Sequence, residues 1–319
     1  MKNINLDERD KKLLYLLDCN AREPLTRIAK YLHVSPEAVL YRIKKLEEKG
    51  IIKNYQIVVD LSKLGLFQCK FCLKFLQMTS DKLTERIKLL EKLSEIKWIA
   101  STQGVYDMII SIETQSLKDI EKSKKNILDI FTGHILEKDF ALLLSSEIYP
   151  RRYLTNTKNN IEWRMETEGN FDSNDLEKEI LKELSKNSRI SAVELADKIK
   201  TTARVVAYML KKLSKKKIIL GYKIGLDHLK LGINFYKIFV HLAQTNKESF
   251  DKFINSCKNN KNITHILQVL SNWDLELEFE SFNSNDVEDF LSDLKDRFPE
   301  IIRKIEFAKI TKEHKLEYI

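Results

Sequence analysis

The feature that most constrains this chain is an internal repeat. Sliding the 319-residue sequence against itself by 167 residues gives an ungapped match. The matches include Ala29 with Ala196, Tyr41 with Tyr208, Lys44-Lys45-Leu46 with Lys211-Lys212-Leu213, Ile51-Ile52 with Ile218-Ile219, Leu64-Gly65 with Leu231-Gly232, and Asp107 with Asp274. Because the chain has only 8 glycines, the match of Gly65 with Gly232 is informative. We therefore predict two copies of one structural unit.

A polar stretch from Pro150 to Asn170 separates the two copies. The predicted boundaries are 1–60 and 66–149 in copy one, 150–170 for the linker, and 171–227 and 232–319 in copy two. Fully extended, such a linker reaches roughly 70 Å. It would therefore allow the copies to pair within one chain, as a pseudodimer, or between chains in a homo-oligomer.

The composition is that of an ordinary globular protein, with 43% hydrophobic and 32% charged residues. No apolar run approaches the ~20 residues that a membrane span needs. The N-terminal residues are polar and charged, unlike a secretory signal. We expect a cytoplasmic protein with no membrane partner. The net charge of +8 favours an anionic partner.

The cysteines do not predict a metal site. Cys69 and Cys72 form a C-x-x-C pair, but a zinc ribbon needs a second such pair and the sequence has none. In an alternating strand pattern, residues three apart point to opposite faces. We expect free thiols, no metal and no cofactor.

The first 60 residues have the pattern of a helix-turn-helix domain. Apolar spacing predicts helices over 10–17 and 25–32. Ser35 suits the N-cap of a third helix and Pro36 its first position. Gly50 suits the residue just after that helix. Residues 51–59 then predict a two-stranded wing.

The polar face of this third helix suits entry into a DNA major groove. The candidate DNA-binding residues are Ser35, Glu37, Ala38, Tyr41, Arg42 and Lys45. Arg42 and Lys45 would neutralise phosphates or read guanine edges. The alternative is a solvated charged face on a structural bundle.

The equivalent helix of copy two is more basic. Residues 202–216 carry five basic and no acidic residues, whereas residues 35–49 carry four basic and three acidic. Met209 replaces Arg42, and Lys217 replaces Gly50. The candidate residues are Arg204, Tyr208, Lys211 and Lys212. We predict that they hold DNA mainly through its phosphates, and that copy one reads the bases.

The second half of each copy predicts the order β-α-β-β-α-β, which is the ferredoxin-like order. In the first strand, Phe67, Cys69, Phe71, Leu73 and Phe75 alternate with Gln68, Lys70 and Lys74. The predicted fold class is α+β, with two winged helix-turn-helix domains alternating with two ferredoxin-like domains.

Two segments carry a resemblance to a known family. Residues 6–65 resemble the DNA-binding half of the Lrp/AsnC (feast/famine) transcriptional regulators. The segment STQGVYDMIISIE, residues 101–113, resembles the turn and third strand of that family's ligand-sensing domain. The resemblance implies dimers formed through the open faces of the sheets, and small effectors, commonly amino acids, bound near a Gly-x-x-Asp turn.

In this chain, the resemblance places that turn at Gly104, Tyr106 and Asp107 in copy one, and at Trp273 and Asp274 in copy two. Ser271 replaces the glycine in copy two, which weakens the expectation of a second effector site. The alternative for both aspartates is a carboxylate that caps a turn.

Charge favours pairing of the copies within one chain. Lys70 and Lys74 line the predicted open face of the first sheet, and Glu276, Glu278 and Glu280 line that of the second. In the alternative, Lys237 and His241 bond those glutamates across neighbouring strands.

The sequence therefore predicts a sequence-specific regulator that binds double-stranded DNA, with a small molecule such as an amino acid as its candidate effector, and not an enzyme. Two alternatives stay open. Siroheme decarboxylases resemble Lrp/AsnC regulators in architecture, although the six histidines include no metal-spaced pair. The lysine-rich second copy would also suit a non-specific DNA-coating protein.

Overall fold

Three helices begin copy one. The computed structural model describes residues 6–155, 161–165, 174–244 and 246–317. The helices are α1 (Glu8–Cys19), α2 (Leu25–Leu32) and α3 (Pro36–Glu48). Ser35 caps α3, because its side chain accepts a hydrogen bond from the Ala38 amide. Gly50 follows α3 in the left-handed region at φ +64°, as its sequence position predicts.

Copy two repeats this arrangement. Its helices are α6 (Asp175–Lys186), α7 (Ala192–Lys198) and α8 (Ala203–Lys215). Thr202 caps α8 as Ser35 caps α3. Lys217, at the position equivalent to Gly50, also lies in the left-handed region, at φ +55°. The backbone path is therefore kept even though a side chain has replaced the glycine.

The predicted two-stranded wing is wrong. Residues 51–59 contain one strand, β1 (Ile52–Val59), which pairs antiparallel with β7 (Ile219–Leu226) of copy two. Gln56 lies opposite Lys223 near the middle of this ribbon. The segment has no internal glycine or proline for a tight turn. Its backbone groups are instead satisfied by the matching strand of the other copy.

The ribbon joins the two helical parts through shared cores. Ile224 and Leu226 of β7 pack among the buried residues of α1, α2 and α3. Ile57 and Val59 of β1 pack among those of α6, α7 and α8. Each strand therefore supplies apolar side chains to the other copy's helices, which fixes the position of one helical part relative to the other.

The remaining strands form one sheet. Copy one contributes β2 (Phe67–Phe75), β3 (Ile96–Gly104), β4 (Met108–Thr114) and β5 (Ile135–Ile148), with helices α4 (Ser80–Glu91) and α5 (Leu117–Ile130). Copy two contributes β8 (Asn234–Leu242), β9 (Ile263–Leu270), β10 (Leu275–Ser281) and β11 (Ile302–Leu316), with helices α10 (Lys247–Asn259) and α11 (Asp286–Arg297). A short helix, α9 (His228–Leu231), precedes β8.

The eight strands close into a barrel. Their order is β2-β4-β3-β11-β8-β10-β9-β5, and β5 also pairs with β2. The two copies meet at two equivalent edges, β3 with β11 and β9 with β5. Closure leaves no free edge among these eight strands. The short strand β6 (Trp163–Met165) adds to the outer side of β5.

The barrel interior divides into an apolar end and a polar end. Cys72, Tyr106, Phe239 and Trp273 pack together at the apolar end. Cys69 packs outside the barrel, in the core under α4 and α5. The two cysteines therefore lie on opposite faces of β2, as predicted, and all four cysteines are free thiols.

Part of the predicted linker is buried. Arg151, Tyr153 and Leu154 are each 7% exposed or less. Residues 156–160 and 166–173 lie outside the described residues. Among the helices of the described ranges, none is long and apolar enough to cross a membrane.

Candidate nucleic-acid interface

The outer face of α3 is open to solvent. Tyr41 is 67% exposed, and Ser35, Glu37 and Lys45 are exposed as well. Ala38 is partly exposed beside them. Residues four apart lie on one face of a helix, so a row of exposed side chains runs along α3. This face presents an aromatic ring and a cation without burying either.

Arg42 is not free in this face. Its Nη1 atom donates to Asp7 Oδ2 at 2.9 Å and to Asp10 Oδ1 at 2.5 Å, both near the start of α1. Reading a base edge would require Arg42 to leave both carboxylates. These ion pairs hold the guanidinium against α1, and contact of Arg42 with phosphates or bases stays a prediction.

The outer face of α8 differs from that of α3 in its charge. Arg204, Tyr208 and Lys211 are exposed, and the 65% exposure of Tyr208 matches that of Tyr41. Lys212 is only partly exposed, because its Nζ lies 2.8 Å from Glu177 Oε1 on α6. Lys44 on α3 and Lys215 on α8 are exposed as well, although they were not among the residues predicted to bind DNA.

In each copy, one cation of the third helix (α3 or α8) thus forms an ion pair with an acid of the first helix (α1 or α6). Asp10 and Glu177 occupy equivalent positions at the 167-residue offset. Asp10 bonds Arg42, whereas Glu177 bonds Lys212, the equivalent of Lys45. The repeated acid was visible in the sequence, but which cation it bonds depends on side-chain geometry.

In both predicted effector turns, the aspartate side chain is hydrogen-bonded to a backbone amide of the same copy. Asp107 Oδ2 accepts from the Phe75 amide at 2.8 Å, and Asp274 Oδ2 accepts from the Leu242 amide at 2.7 Å. Lys74 also donates to Asp107, at 2.9 Å. Both aspartates therefore cap strand ends, which is the alternative that the sequence left open.

Tyr106 and Trp273 are buried within the barrel. The Tyr106 hydroxyl donates to Asp139 at 2.7 Å, and Trp273 Nε1 donates to Glu276 at 3.3 Å. Both rings pack on Phe239, with centroid distances of 5.3 and 4.9 Å. Tyr106 and Trp273 thus form one buried aromatic cluster with Phe239.

Gly104 is required by the close approach of β11. Its φ is +134°, and a Cβ atom there would lie 2.5 Å from the Phe307 carbonyl oxygen. At the equivalent position, Ser271 donates through Oγ to the Phe140 carbonyl at 2.9 Å. The glycine therefore has a packing reason that is independent of any effector.

A partly open cavity lies between the β1–β7 ribbon and the polar end of the barrel. Its volume is about 210 Å³. Residues of both copies line it, and many of them are ionisable: Lys53, Lys70, Lys97, Glu113, Arg151, Lys223, His228, Lys237, His265, Glu278, Glu280, Glu313 and Glu317. The sequence search overlooked this cavity because it forms only when the two copies pair.

Lysines and glutamates of the two sheets form one set of ion pairs beside the cavity. Lys70 bonds Glu276 between the copies, and Lys237 bonds Glu278 across neighbouring strands. Both pairings considered from the sequence therefore occur. His241 bonds Glu306 instead of those glutamates, with 3.1 Å between Nε2 and Oε2.

Glu280 is the centre of a second buried set of ion pairs. Arg151 Nε donates to it at 2.8 Å, the Tyr153 hydroxyl donates at 2.6 Å, and His228 Nε2 lies 3.2 Å away. Arg151 also donates to Asp18 of α1 at 2.7 Å. Burial alone would lower the pKa of His228, but the Glu280 carboxylate raises it to about 9.

Three ionisable groups of the cavity, Lys97, Glu113 and Lys223, have no partner of opposite charge within 4 Å in the part of the chain that the structure describes. Burial raises the pKa of the Glu113 carboxyl to about 7, against the opposing effect of the Lys97 charge. Lys223 is 5% exposed, and burial lowers the pKa of its ammonium. Lys223 lies 5.7 Å from the centre of the Trp163 ring.

The known proteins that this chain resembles include helix-turn-helix DNA-binding proteins. The family model for winged helix-turn-helix DNA-binding domains matches residues 6–53 and 173–219, once in each copy. The HTH-type transcriptional regulator LrpA of Pyrococcus horikoshii is 39% identical over 143 residues, which are 42% of this chain and 98% of that protein. The chain belongs to the Lrp/AsnC family of HTH-type transcriptional regulators.

Other relatives likewise align with less than half of this chain. The regulatory protein AsnC of Haemophilus influenzae is 32% identical over 116 residues, which are 36% of this chain and 77% of that protein. A relative of this kind therefore corresponds to less than half of the chain, so a Lrp/AsnC-type unit has the length of about one copy.

A solved structure is similar over nearly the full length. The siroheme decarboxylase NirDL covers 98% of this chain and 94% of its own, with a TM-score of 0.59 and 13% sequence identity. At that identity the likeness shows a shared α+β fold alone.

Proposed function

We propose that this chain is a sequence-specific DNA-binding transcriptional regulator whose two copies act together as an intrachain pseudodimer. The observation that carries the proposal is the shared core at the β1–β7 ribbon, which fixes two exposed recognition helices, α3 and α8, on one rigid body. Paired recognition helices are the arrangement with which dimeric helix-turn-helix proteins bind two half-sites.

The domain organisation that we infer is two winged helix-turn-helix domains, 1–60 and 171–227, alternating with two ferredoxin-like domains, 66–149 and 232–319. The strand order supports it: β5-β2-β4-β3 in copy one is repeated as β11-β8-β10-β9 in copy two. The family's DNA-binding role is consistent with a cytoplasmic protein.

We assign the DNA contacts unequally to the two helices. Tyr41 and Lys45, with Lys44, form the free face of α3, and Arg204, Tyr208 and Lys211 form that of α8. Acidic Glu37 lies on the first face, whereas the second has cations and no acidic residue. A lone acid repels phosphate and favours selective base contacts, so α3 contributes more to discrimination between sequences and α8 more to general affinity.

A matched pair of double variants tests this assignment. Binding to DNA from upstream of the chain's own gene and to scrambled DNA is measured by fluorescence anisotropy over a salt series. Tyr41→Ala with Lys45→Ala should lower the preference for upstream DNA by about tenfold. Tyr208→Ala with Lys211→Ala should weaken both DNAs about equally and reduce the salt slope by about 0.9 per lost phosphate contact.

Lys88→Ala is the control, because it removes an exposed lysine from α4, away from both recognition helices. It should leave both affinities unchanged. Equal loss of preference in the two double variants would contradict the unequal assignment. A wild-type chain that binds both DNAs equally would instead indicate a coating protein, and one that binds neither at low salt would exclude DNA binding.

A second candidate function is siroheme decarboxylation, favoured by the full-length similarity to NirDL and by the position of the cavity between ribbon and barrel. It would take a tetrapyrrole as substrate. Titration with iron-uroporphyrin III, a compound of the kind bound in a NirDL complex, tests it. A red-shifted, saturable Soret-type band and release of carbon dioxide from siroheme would establish the enzyme; an unchanged spectrum would exclude it.

A further inference from the structure

The two helical parts contact each other directly through two arginines. Arg22 follows α1 in copy one and Arg189 follows α6 in copy two, at positions that are equivalent at the 167-residue offset. Arg22 Nη1 donates to the Ser188 and Ile190 carbonyls at 2.5 and 2.7 Å. Arg189 Nη1 donates to the Ala21 carbonyl. Each arginine thus bonds the backbone of the loop that follows the first helix of the other copy.

The same arginines pack on the ribbon. The Arg22 guanidinium lies 5.4 Å from the centre of the Tyr222 ring on β7. The Arg189 guanidinium lies 5.6 Å from the centre of the Tyr55 ring on β1. A guanidinium can have both roles, because it stacks on a ring while its N–H groups bond carbonyls in its own plane. Each arginine therefore connects its own copy to a loop and to a ribbon strand of the other.

Two lysines make a second pair of contacts between the copies, at the ends of the recognition helices. Lys230 of α9 donates from Nζ to the Lys49 carbonyl, just after α3, at 3.0 Å. Lys63, between β1 and β2, donates to the Lys216 carbonyl, just after α8, at 2.9 Å. Lys63 and Lys230 are equivalent at the offset. A cation is favourable at this end of a helix, because the last carbonyls lack partners within the helix.

These four side chains, Arg22, Arg189, Lys63 and Lys230, are the crossed cations of the molecule. All of their bonds described above run between the copies. The shared apolar cores also join the copies, but hydrophobic contact is non-directional. Hydrogen bonds to backbone carbonyls constrain both distance and angle. The crossed cations therefore restrict the orientation of one helical part relative to the other more than the apolar contacts do.

We propose that the crossed cations are positioning residues that set the distance and rotation between α3 and α8, and thereby the half-site spacing that the protein accepts. The proposal rests on the proposed binding of two recognition helices to one DNA site. One added base pair moves a half-site by about 3.4 Å and turns it by roughly 35° about the DNA axis. A rigid pair of helices accepts a narrow range of spacings, and a looser pair accepts a wider one.

The test uses upstream DNA in which one to about five base pairs are inserted between the two half-sites or removed from between them. Fluorescence anisotropy gives the affinity at each spacing. The wild type should bind at least about tenfold more weakly two base pairs away from its best spacing. Arg22→Ala with Arg189→Ala should reduce this penalty to about threefold or less, because the helix pair is no longer preorganised. Lys63→Ala with Lys230→Ala should reduce it by a smaller factor.

Lys11→Ala with Lys178→Ala is the matched control. These lysines occupy equivalent positions on α1 and α6, and Lys11 bonds Glu8 of its own helix. The control removes two positive charges, as the other double variants do, but no bond between the copies. It should keep the wild-type spacing profile. Affinity for DNA with one half-site scrambled should fall no more in the crossed-cation variants than in the control.

Pulsed EPR on the free protein gives a readout that needs no DNA. Spin labels are attached at Tyr41→Cys and Tyr208→Cys, which are equivalent exposed positions on α3 and α8. Cys19→Ser serves as the background, because the other three thiols are buried. The distance distribution should be narrow in the wild type and the control, and broader or shifted in the arginine variant.

An arginine variant that still unfolds cooperatively and keeps both the wild-type distance distribution and the wild-type spacing profile would overturn the proposal. A wild-type chain that binds all spacings equally would overturn it as well. Failure of the wild type to bind DNA, with a distribution that broadens as expected in the arginine variant, would instead contradict the proposed regulator. The positioning of the two helices by the crossed cations would then still be supported.

Discussion

In copy two the Glu280 carboxylate forms ion pairs with Arg151 and His228, whereas the equivalent Glu113 of copy one forms none in the described ranges. Arg151 bonds both Glu280 and Asp18 of α1, which ties the barrel to the helical part of copy one. The equivalent carboxyl, Glu113, faces the cavity with no cation bonded to it in the described ranges. Duplication within one chain allowed the two halves to differ at this position, so one half stabilises the junction through ion pairs that the other half lacks.

The most direct test of this comparison makes the same substitution at both carboxylates, Glu280 and Glu113. Glu280→Gln should lower the free energy of unfolding by about 3–5 kcal/mol, because it leaves buried Arg151 and His228 without their shared acceptor. Glu113→Gln should cause no loss at pH 7. Urea unfolding of both variants measures the difference, and equal destabilisation would contradict the inequality of the two sites.

The pH dependence of Glu113→Gln follows from the same burial. The pKa of Glu113 is raised to about 7 in the folded protein. Its stabilising contribution is therefore present below the unfolded-state pKa and is lost as the pH rises through 7. We expect Glu113→Gln to match the wild type at pH 5 and to be more stable at pH 8 by roughly 2 kcal/mol. Unfolding curves at the two pH values decide this, and a constant difference would refute the assignment.

The ends of the recognition helices give a smaller test. Lys217 adopts the left-handed conformation that Gly50 adopts in copy one, and a side chain is strained there. Lys217→Gly should stabilise the chain by about 1 kcal/mol, and Gly50→Ala should destabilise it by a similar amount. Changes of the same sign in the two variants would show that these positions are not equivalent.

The smallest expected effect concerns the two bonded cations. Arg42 and Lys212 are each bonded to an acid of the first helix, whereas Lys45 and Lys211 are free. Lys211→Ala should reduce the salt slope of DNA binding by about 0.9, and Lys212→Ala by less. If Lys212→Ala or Arg42→Ala instead reduced affinity more than its free neighbour did, DNA would have to displace the ion pairs.

Much of the fold could be predicted because its signals are local. The cap at Ser35, the glycine at position 50 and the alternation in β2 each depend on a few neighbouring residues. The pairing of β1 with β7 could not be predicted, because residues 51–59 carry no signal that distinguishes a strand of their own copy from one of the other.

The candidate site was harder to predict than the fold. The exposed faces of α3 and α8 followed from helical periodicity, but the ion pairs of Arg42 and Lys212 depend on packing against α1 and α6. Asp107 was proposed for an effector from a family resemblance, and its backbone contact to Phe75 appears only in three dimensions. The central cavity is formed by residues from both copies and has no local signature.

The central claim is that one chain presents two recognition helices to one DNA site. Hydroxyl-radical footprinting on the upstream DNA, with the mass of the complex determined in parallel, tests it most directly. The account predicts one chain per site and two protected patches about 10 base pairs apart or a multiple of it, with the patch of α8 weakened selectively by Tyr208→Ala with Lys211→Ala. Two chains per site, each protecting a single patch, would contradict it.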